Sequence, residues 1–442
     1  MKKQLLLIAL SIYPLLTYSQ TQQSLSFYAE KCSINVGAAV GSAFYSNYNT
    51  NSTYDLIIKR NFNILVPENE MKFAVIEPTQ GNFDFSKSDQ LVNYAVANRK
   101  SLRGHTLCWH SRNPAWIEAG LTNGIANGTF TRTSLMSILK NHITTIVTRY
   151  KGKIQHWDVV NEAFNTDGTL RTSIWQQVIG NEYIDSAFVW ANRADPAAKL
   201  YLNDFSVENY GSAKSNALFN YVKGMKNRNI PINGVGFQCH FIVNNIQYSK
   251  IDQNIKAYAS IGVEAIITEL DIRIKKTDYE TDSATQLATQ AENYRQMILL
   301  CFNNSNCKTI VTWGFTDLYS WIPNFTSNVY DYSLIFDRSY NPKPAYSSML
   351  NELYLGSLSA NNSIINDNST LRVKEIGNKI IINSDMDMIR CQLFDIHGRL
   401  LFNSSSSVKE IEITLNKMPL SLIVLRVQLS NEQVVVRKII KQ

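Results

Sequence analysis

The chain has 442 residues, of which 45% are hydrophobic and 18% are charged, so its composition is globular and its length exceeds one average domain. We therefore expect one large domain followed by a small one. The formal net charge is +7, but Lys and Arg are scattered and form no basic cluster with interleaved aromatic residues. Nucleic-acid binding is therefore disfavoured.

The N-terminal segment MKKQLLLIALSIYPLLTYSQ, residues 1–20, carries two lysines, then a short apolar run, and ends in small or polar residues. This pattern is typical of a secretory signal peptide. A membrane anchor is the alternative, but the apolar run from Leu5 to Leu16 is short for a membrane span and contains Pro14. We therefore expect the chain to be exported, with no stable insertion in a membrane.

Apolar, β-rich segments alternate with amphipathic segments from residue 21 to residue 355, which predicts a (β/α)8 TIM barrel. The predicted strands are Ile34–Val40, Asn63–Val66, Ser101–Leu107, Ile154–Val160, Lys199–Leu202, Gly234–Gln238, Ala265–Thr268 and Thr309–Trp313. The predicted helices include Asp89–Ala97, Ser134–Tyr150, Ser212–Arg228, Tyr248–Ile261 and Thr285–Phe302. An open doubly wound sheet is the runner-up, but no glycine-rich phosphate loop opens a helix.

Residues 356–370 are rich in Ser and Asn, which predicts a linker. Short alternating segments fill residues 371–442 and predict a small all-β sandwich of seven strands. These strands are Arg372–Ile376, Lys379–Asn383, Ile389–Asp395, Arg399–Phe402, Glu410–Leu415, Leu422–Gln428 and Val434–Ile440.

Six cysteines in an exported chain permit disulfides. Cys301 and Cys307 flank a turn-like segment and are expected to form a short-loop disulfide. The other cysteines are widely spaced, and buried free thiols are the simplest interpretation for most of them. No C-x-x-C or H-E-x-x-H motif suggests a metal site, so we expect neither a metal nor a cofactor.

In a (β/α)8 barrel, active sites form at the C-terminal ends of the strands. Polar or aromatic residues follow most predicted strands, at 68–72, 109–110, 161–162, 203–204, 238–240, 269–271 and 313. Glu162 and Glu269 each follow an apolar strand, and glycosidases flank the sugar–sugar bond with two such carboxyl groups. Trp109, Trp313 and Trp321 offer indole faces on which sugar rings can stack. The side chains that can hydrogen-bond sugar hydroxyls are Asn69, Lys72, His105, Asn161, Gln238 and His240.

Longer motifs occur in the first domain in the order PENEMKF (67–73), EPTQGNFDFSKSDQLVNYA (77–95), LRGHTLCWHS (102–111), WDVVNEAFN (157–165), GVGFQCHF (234–241), ITELDI (267–272), TWGFTDLYSW (312–321) and NPKPAY (341–346). Together they resemble glycoside hydrolase family 10, the endo-β-1,4-xylanases. The resemblance covers roughly residues 35–355. It implies a TIM barrel and a retaining, double-displacement hydrolysis of xylan that needs no cofactor.

Carried over position by position, the resemblance implies that Glu162 is the general acid/base and Glu269 the nucleophile. Asn161 would hold the sugar 2-hydroxyl, and His240 would orient Glu269. The glycone-side lining would comprise Glu68, Asn69, Lys72, His105, Trp109, Gln238, Trp313 and Trp321. A supporting hydrogen-bond role is expected for Asp271, and a supporting or structural role for His110.

Three positions depart from the pattern usual in the family. Phe73 stands where Trp is usual, Phe205 where Tyr is usual, and Leu318 where a basic residue is common. None belongs to the catalytic pair. The departures therefore bear on subsite preference, and Phe205 bears on stacking at the leaving-group side.

The C-terminal region contains VKEIGNKIIIN (373–383), LFDIHGRLL (393–401), ITLNKMPLSLIVLRV (413–427) and VRKIIKQ (436–442). These short motifs resemble a type IX secretion system C-terminal sorting domain. With the signal peptide, the resemblance implies export through the periplasm of a Bacteroidetes-type cell to its surface or the medium. The type IX secretion machinery would be a partner, and the sorting domain would be removed.

The expected function is a secreted, retaining endo-β-1,4-xylanase that acts as a monomer on xylan or xylo-oligosaccharides. The nearest alternative is a related retaining β-1,4-glycanase that acts on glucan or mixed-linkage chains. A catalytically inactive sugar-binding barrel is disfavoured because both glutamates are present. A cell-surface adhesin would use residues 365–442 as its binding domain.

Overall fold

A computed structural model of the chain describes residues 24–360, 371–376, 379–395, 400–414, 422–431 and 434–440. The predicted signal peptide lies outside these residues, as does most of the predicted linker. The N-terminal part is a barrel, and the C-terminal part is an antiparallel sheet. Within the described residues, no helix combines the length and apolar content that crossing a membrane requires.

The barrel consists of eight parallel strands that pair in sequence order and close when the last pairs with the first. They are β1 (Asn35–Val40), β2 (Ile64–Pro67), β3 (Ser101–Trp109), β4 (His156–Asn161), β5 (Lys199–Asp204), β6 (Gly234–Phe237), β7 (Glu264–Lys275) and β8 (Thr309–Thr312). Each overlaps a predicted strand, so the predicted (β/α)8 barrel is confirmed. β7 continues past its predicted end at Thr268 because its outer half pairs with the short strands His240–Ile242 and Tyr330–Asp331.

Helices connect the strands, and all the amphipathic helices named from the sequence are present with slightly shifted ends. The helices of the described residues are Leu25–Lys31, Ser42–Asn47, Thr53–Asn61, Phe73–Ile76, Ser86–Ala97, Ala115–Glu118, Arg132–Arg149, Ile174–Ile179, Tyr183–Ala194, Ala213–Asn227, Tyr248–Ala259, Lys276–Thr281, Ser283–Asn303, Ile322–Phe325 and Pro344–Ala360, with a 3-10 turn at Asp317–Tyr319. A two-stranded ribbon joins Leu121–Thr122 to Ile125–Ala126. Serine or threonine caps start several helices; Ser212, for example, accepts a hydrogen bond from the Ser215 N–H.

A buried ion pair between Arg103 of β3 and Asp158 of β4 ties these neighbouring strands together. Arg103 Nε donates to Asp158 Oδ2 at 2.9 Å, and Arg103 Nη2 donates to the other carboxylate oxygen. Burial alone would raise the pKa of Asp158, but the charge of Arg103 and the hydrogen bond from His105 outweigh it and lower that pKa. Glycine at 236 makes room, because a Cβ there would run into Asn203 and the Arg103 guanidinium. The Arg103–Asp158 ion pair therefore depends on the absence of a side chain at position 236, on β6.

Cys301 and Cys307 form a disulfide, which confirms the pairing predicted from their spacing. Cys108, Cys239 and Cys391 are free and buried, and Cys32 is free and partly buried.

The last helix of the barrel, Pro344–Ala360, runs past the predicted start of the linker at Gly356. A Cβ at position 356 would run into the ring of Phe302 on helix Ser283–Asn303, so this glycine permits the close packing of the two helices.

The C-terminal sheet has six strands within the described residues. They are β9 (Leu371–Ile376), β10 (Lys379–Asp395), β11 (Leu400–Ser404), β12 (Val408–Thr414), β13 (Leu422–Leu429) and β14 (Val434–Ile440). The first half of β10 pairs with β9 and β12, and its second half pairs mainly with β11 and β13. Apolar side chains from both halves, including Ile382 and Leu393, share one core with Leu425 of β13. The region is therefore a small all-β unit, as predicted.

The number of strands predicted for this region is wrong, because Lys379–Asn383 and Ile389–Asp395 are parts of the single strand β10. The polar residues Ser384, Asp385 and Asp387 suggest a turn, but the strand bulges there instead. Its pairing with β12 shifts register between Asn383 and Met388. Met388 is fully buried, so the side chains of β10 pack in the hydrophobic core again directly after this polar segment.

Replacing Arg103 by Met should lower the free energy of unfolding of the barrel by roughly 3–5 kcal/mol, because Asp158 would remain buried without its cation. Urea unfolding followed by tryptophan fluorescence measures this, since all seven tryptophans lie in the barrel region. Arg228→Met is the matched control, because Arg228 pairs with Asp185 at 2.8 Å while 50% exposed. The control should change stability by at most about 1 kcal/mol. Equal effects of the two substitutions would contradict this account.

Candidate active site

The C-terminal ends of the barrel strands bring the predicted catalytic pair to one mouth. Glu162 directly follows β4, and Glu269 lies within β7, on the far side of the barrel. Because parallel strands end on the same face of a barrel, both side chains share that face with the residues after β5 and β6.

Glu269 is a carboxylate held in the ionised state by its neighbours. Its side chain is 6% exposed, and its Oε1 accepts a hydrogen bond from Asn203 Nδ2 at 2.7 Å. His240 Nε2 lies 3.4 Å from Oε2. Burial alone would raise the pKa of Glu269, but the hydrogen bond from His240 and the charges of His105 and His240 outweigh burial and lower it. An ionised, oriented carboxylate is what a nucleophile requires.

His240 stands between two carboxylates. Its Nδ1 lies 2.8 Å from Asp271 Oδ2, which also accepts a hydrogen bond from Trp321 Nε1 at 2.9 Å. Burial alone would lower the pKa of His240, but Asp271 and Glu269 outweigh it and raise that pKa to about 10. His240 is therefore an imidazolium at neutral pH. Asp271 has the hydrogen-bonding position expected from the sequence.

Glu162 lies in a different environment, among neutral hydrogen-bond donors. Its Oε1 accepts from Gln238 Nε2 at 3.2 Å and from Asn161 Nδ2 at 3.4 Å. His110 Nδ1 lies 3.8 Å from Oε2. Burial, together with the charges of Arg171 and Lys214, lowers the pKa of His110 to about 4, so this imidazole is neutral at neutral pH.

The backbone of Glu162 has a left-handed conformation, with φ of +54°. Few non-glycine residues adopt it, and it needs support from the surroundings. The Glu162 N–H donates to Asn203 O at 2.8 Å, and Arg171 Nε donates to Glu162 O at 3.0 Å. Both backbone polar groups of Glu162 are therefore fixed, which aims its carboxyl group into the mouth.

Two amides connect the two carboxylates. Asn203 Nδ2, which binds Glu269, also donates to Asn161 Oδ1 at 2.9 Å. Asn161 in turn is hydrogen-bonded to Glu162. Thr268 Oγ1 donates to Asn203 Oδ1 at 2.7 Å, so Asn203 is held on both sides. A continuous path of hydrogen bonds through Asn161 and Asn203 therefore connects Glu162 to Glu269.

The opposite wall carries charged and aromatic side chains. Lys72 Nζ donates to Asn69 Oδ1 at 3.0 Å and lies 5.0 Å from the ring of Trp109. Burial lowers the pKa of Lys72, and burial raises the pKa of Glu68. Glu68, Asn69 and Lys72 follow β2, so they lie across the mouth from β6 and β7, and Trp109 is the last residue of the adjacent β3.

His105 connects the mouth to the barrel interior. Its Nδ1 lies 3.0 Å from Asp158 Oδ2, and its ring contacts Trp313 at a centroid distance of 5.2 Å. Trp321, which lies beyond β8 in the chain, contacts His240 with ring centroids 5.0 Å apart. The two tryptophans therefore provide apolar faces on the β8 side of the glutamates. Every site residue predicted from the sequence thus lies at this one mouth.

The three departures from the family pattern differ in position. Phe73 is buried and stacks on His142 with ring centroids 3.5 Å apart, so it packs behind the mouth. Phe205 lies next to the mouth, with Lys214 Nζ at 3.5 Å from its ring centroid. Leu318 is partly exposed.

Two residues of this arrangement escaped the sequence analysis. Asn203 was noted only as a polar residue after β5, and Arg171 was not considered. The trailing Asn-Asp pair was a usable signal for Asn203. Arg171 gives no such signal, because it lies nine positions beyond Glu162 and reaches it through its side chain.

No group of three or more His, Cys, Asp or Glu side chains is arranged to hold a metal ion among the residues that the structure describes.

The chain matches the sequence model of glycosyl hydrolase family 10 over residues 25–352. It is 38% identical to endo-1,4-beta-xylanase B of Thermotoga neapolitana over 318 residues, which are 72% of this chain and 88% of that protein. It is 41% identical to the endo-1,4-beta-xylanase of Agaricus bisporus over 291 residues, 65% of this chain and 82% of that protein. The crystal structure of xylanase 10B from Thermotoga petrophila in complex with xylobiose superposes with a TM-score of 0.71 at 38% identity, covering 76% of this chain and 98% of that one.

Replacing His240 by Asn should move the acidic limb of the pH profile of kcat/KM to higher pH. Glu269 would lose its cationic neighbour, its pKa would rise, and a higher pH would be needed to ionise it. At the pH optimum, kcat/KM should fall by roughly tenfold or more. An aryl β-xylobioside is a suitable substrate for the profile.

His156→Asn is the control, because His156 stacks on Tyr201 at the other end of β4. Its acidic limb should stay where it is in the unmodified chain. If His240→Asn lowered the rate without moving the limb, His240 would not control the charge of Glu269.

Proposed function

The chain belongs to glycosyl hydrolase family 10, and on that premise we propose that it hydrolyses internal β-1,4-xylosidic bonds of xylan with retention of configuration. The observation that carries the proposal is the pair Glu162 and Glu269, which meet at one mouth in contrasting environments and are joined by Asn161 and Asn203. The relatives of similar length are named endo-1,4-beta-xylanases, and one solved neighbour holds xylobiose.

In the first step, a carboxylate oxygen of Glu269 attacks the anomeric carbon of the xylose unit in the mouth. Glu162, in its protonated form, gives its proton to the glycosidic oxygen. The bond between the anomeric carbon and that oxygen breaks, and the leaving chain departs with a new hydroxyl group. The remaining chain is then bound to Glu269 as a glycosyl ester.

In the second step, Glu162 is a carboxylate and takes a proton from a water molecule. The water oxygen attacks the anomeric carbon, and the ester bond to Glu269 breaks. Glu269 leaves as a carboxylate, and Glu162 is protonated again. Two inversions at one carbon give net retention.

The surroundings of the two glutamates suit these two roles. His240 and Asn203 stabilise the negative charge of Glu269, which favours its attack as a carboxylate. The hydrogen bonds to the Glu162 carboxylate come from the neutral side-chain amides of Asn161 and Gln238, which supports its role as the group that gives and takes the proton. Asn161 is hydrogen-bonded to Glu162 and is connected to Glu269 through Asn203, which supports the proposal that it binds the sugar 2-hydroxyl.

Xylan is favoured over glucan as the substrate because the curated relatives described above are named xylanases. The activity ratio on the two polymers is therefore part of the test.

The full chain should release reducing sugar from glucuronoxylan and much less from carboxymethylcellulose. Glu162→Ala and Glu269→Ala should each lower the rate on xylan by roughly a thousandfold or more, because each removes a group that acts in the transition state. Proton NMR of the first product should show the β anomer before mutarotation.

Phe27→Ala, a change at an exposed residue of the first helix, is the control and should leave the rate unchanged. Release of the α anomer would contradict the two-step mechanism. Faster cleavage of carboxymethylcellulose than of xylan would contradict the substrate and leave the catalytic pair in place.

The signal peptide pattern and the motifs after residue 370 support a second part of the proposal, namely export by a type IX secretion system. The all-β fold of the C-terminal residues is compatible with a sorting domain. In a Bacteroidetes host that has this system, the full chain should deliver xylanase activity to the medium or cell surface. A chain ending at residue 370 should remain in the periplasm. Equal export of the two chains would contradict a sorting role.

A further inference from the structure

A groove of about 780 Å³ runs along the outer wall of the barrel, away from the two glutamates. It lies between helix Ala213–Asn227, which follows β5, and helix Tyr248–Ala259, which follows β6. Both helices start at the mouth and run towards the opposite end of the barrel. Gln253 to Ser260, which line one side, span roughly 10 Å along the helix axis.

The upper end of the groove is a fixed aromatic rim. Tyr210 belongs to the loop after β5, and its ring is 50% exposed. Its N–H donates to Lys250 O at 3.2 Å. Asn254 Nδ2 donates to Val207 O at 2.8 Å and to Glu208 O at 3.2 Å, which fastens the same loop to the neighbouring helix. The ring of Tyr210 is therefore held at the rim by its backbone.

The walls present amide groups that have no protein partner. Asn216 and Asn220 are four residues apart, so they lie on the same face of their helix. Gln253 faces them from the other helix. None of these three side-chain amides is hydrogen-bonded to another group in the part of the chain that the structure describes. Each can both donate and accept hydrogen bonds.

The groove is close to electrically neutral. Its single cation, Lys256, is paired with Asp252 at 2.6 Å. Its floor includes the ring of Phe219, which packs edge-on against Tyr258 at 5.4 Å. An aromatic face with several free amides and no net charge suits a neutral, hydroxyl-rich ligand. It does not suit a phosphate group or a nucleic acid.

The rim also lies close to the catalytic mouth along the chain. The loop that carries Tyr210 begins at Phe205, which borders the mouth near Arg171 and Lys214. A polysaccharide that leaves the mouth over β5 would meet Tyr210 next.

We propose that this groove binds a second segment of the xylan chain, outside the catalytic mouth. Tyr210 stacks on a sugar ring at the rim, and the amides of Asn216, Asn220 and Gln253 bind its hydroxyl groups and those of the next rings. The choice of xylan as the ligand rests on the proposed function. The groove would keep the polymer attached to the protein between successive cleavages.

Tyr210→Ala in the full chain should lower kcat/KM on polymeric xylan by roughly three- to tenfold, because one aromatic stacking contact is lost. The same variant should cleave xylotetraose at the unmodified rate, because that substrate is confined to the mouth. Asn216→Ala/Asn220→Ala should act in the same direction. Phe27→Ala is the matched control, since Phe27 is 42% exposed on another face, and it should change neither rate.

An unchanged rate of Tyr210→Ala on the polymer would overturn the proposal. Equal losses on polymer and xylotetraose would also overturn it, because Tyr210 would then act within the mouth. Thermal unfolding of each variant verifies that it is folded.

A binding measurement separates failure of the groove from failure of the proposed activity. Glu269→Ala is mixed with insoluble xylan in the presence of saturating xylotetraose, which occupies the mouth. Two results support binding of xylan in the groove: Glu269→Ala stays on the insoluble xylan, and the double variant Glu269→Ala/Tyr210→Ala does not. They do so even if the hydrolysis assays point to another substrate. No retention would overturn it, whereas cleavage of xylotetraose by the unmodified chain reports on the proposed activity alone.

Discussion

A buried carboxylate that must stay ionised is the constraint on which the mouth of this barrel depends. Glu269 is almost inaccessible to water, yet its pKa is lowered rather than raised. His240 contributes to this, and the pKa of His240 is itself raised because Asp271 and Glu269 lie on its two sides. Trp321 donates to the same oxygen of Asp271. One hydrogen-bonded chain therefore lowers the pKa of Glu269 and fixes the position of the Trp321 side chain.

Glu162 shows the complementary arrangement. Its hydrogen-bond donors are neutral, and its support comes from the backbone, where Asn203 O and Arg171 fix a left-handed peptide unit. The electrostatic surroundings of the two glutamates thus differ. His240 lies next to Glu269, whereas the neutral amide of Gln238 lies next to Glu162. Catalysis by two carboxyl groups requires different surroundings, because one group must be ionised while the other carries a proton. The ion pair of Arg103 and Asp158 extends the support into the barrel, since Asp158 also orients His105.

The sequence predicted the barrel well because each strand is an apolar run bounded by turns and each polar strand end points to one mouth. It also predicted that the two glutamates and their polar neighbours lie together at that mouth, since these residues lie at or near the strand ends. Their catalytic roles stay a prediction. Arg171 and Asn203 were missed as site residues because their roles depend on side-chain reach across loops and strands, which spacing alone does not reveal. The extra strand assigned to the C-terminal sheet had a similar cause: local polarity suggested a turn where pairing on both sides keeps β10 extended.

The central claim is that Glu269 forms a covalent bond to the sugar while Glu162 handles the proton. The most direct test is to incubate the full chain with a 2-deoxy-2-fluoro-β-xylobioside that carries a good leaving group, and to locate the bound sugar by peptide mass spectrometry. The fluorine slows both steps, whereas the good leaving group accelerates only the first, so the ester accumulates. The account predicts one xylobiosyl group, attached to Glu269 in the peptide that contains ITELDI. A label on any other residue, or turnover without any covalent intermediate, would contradict it.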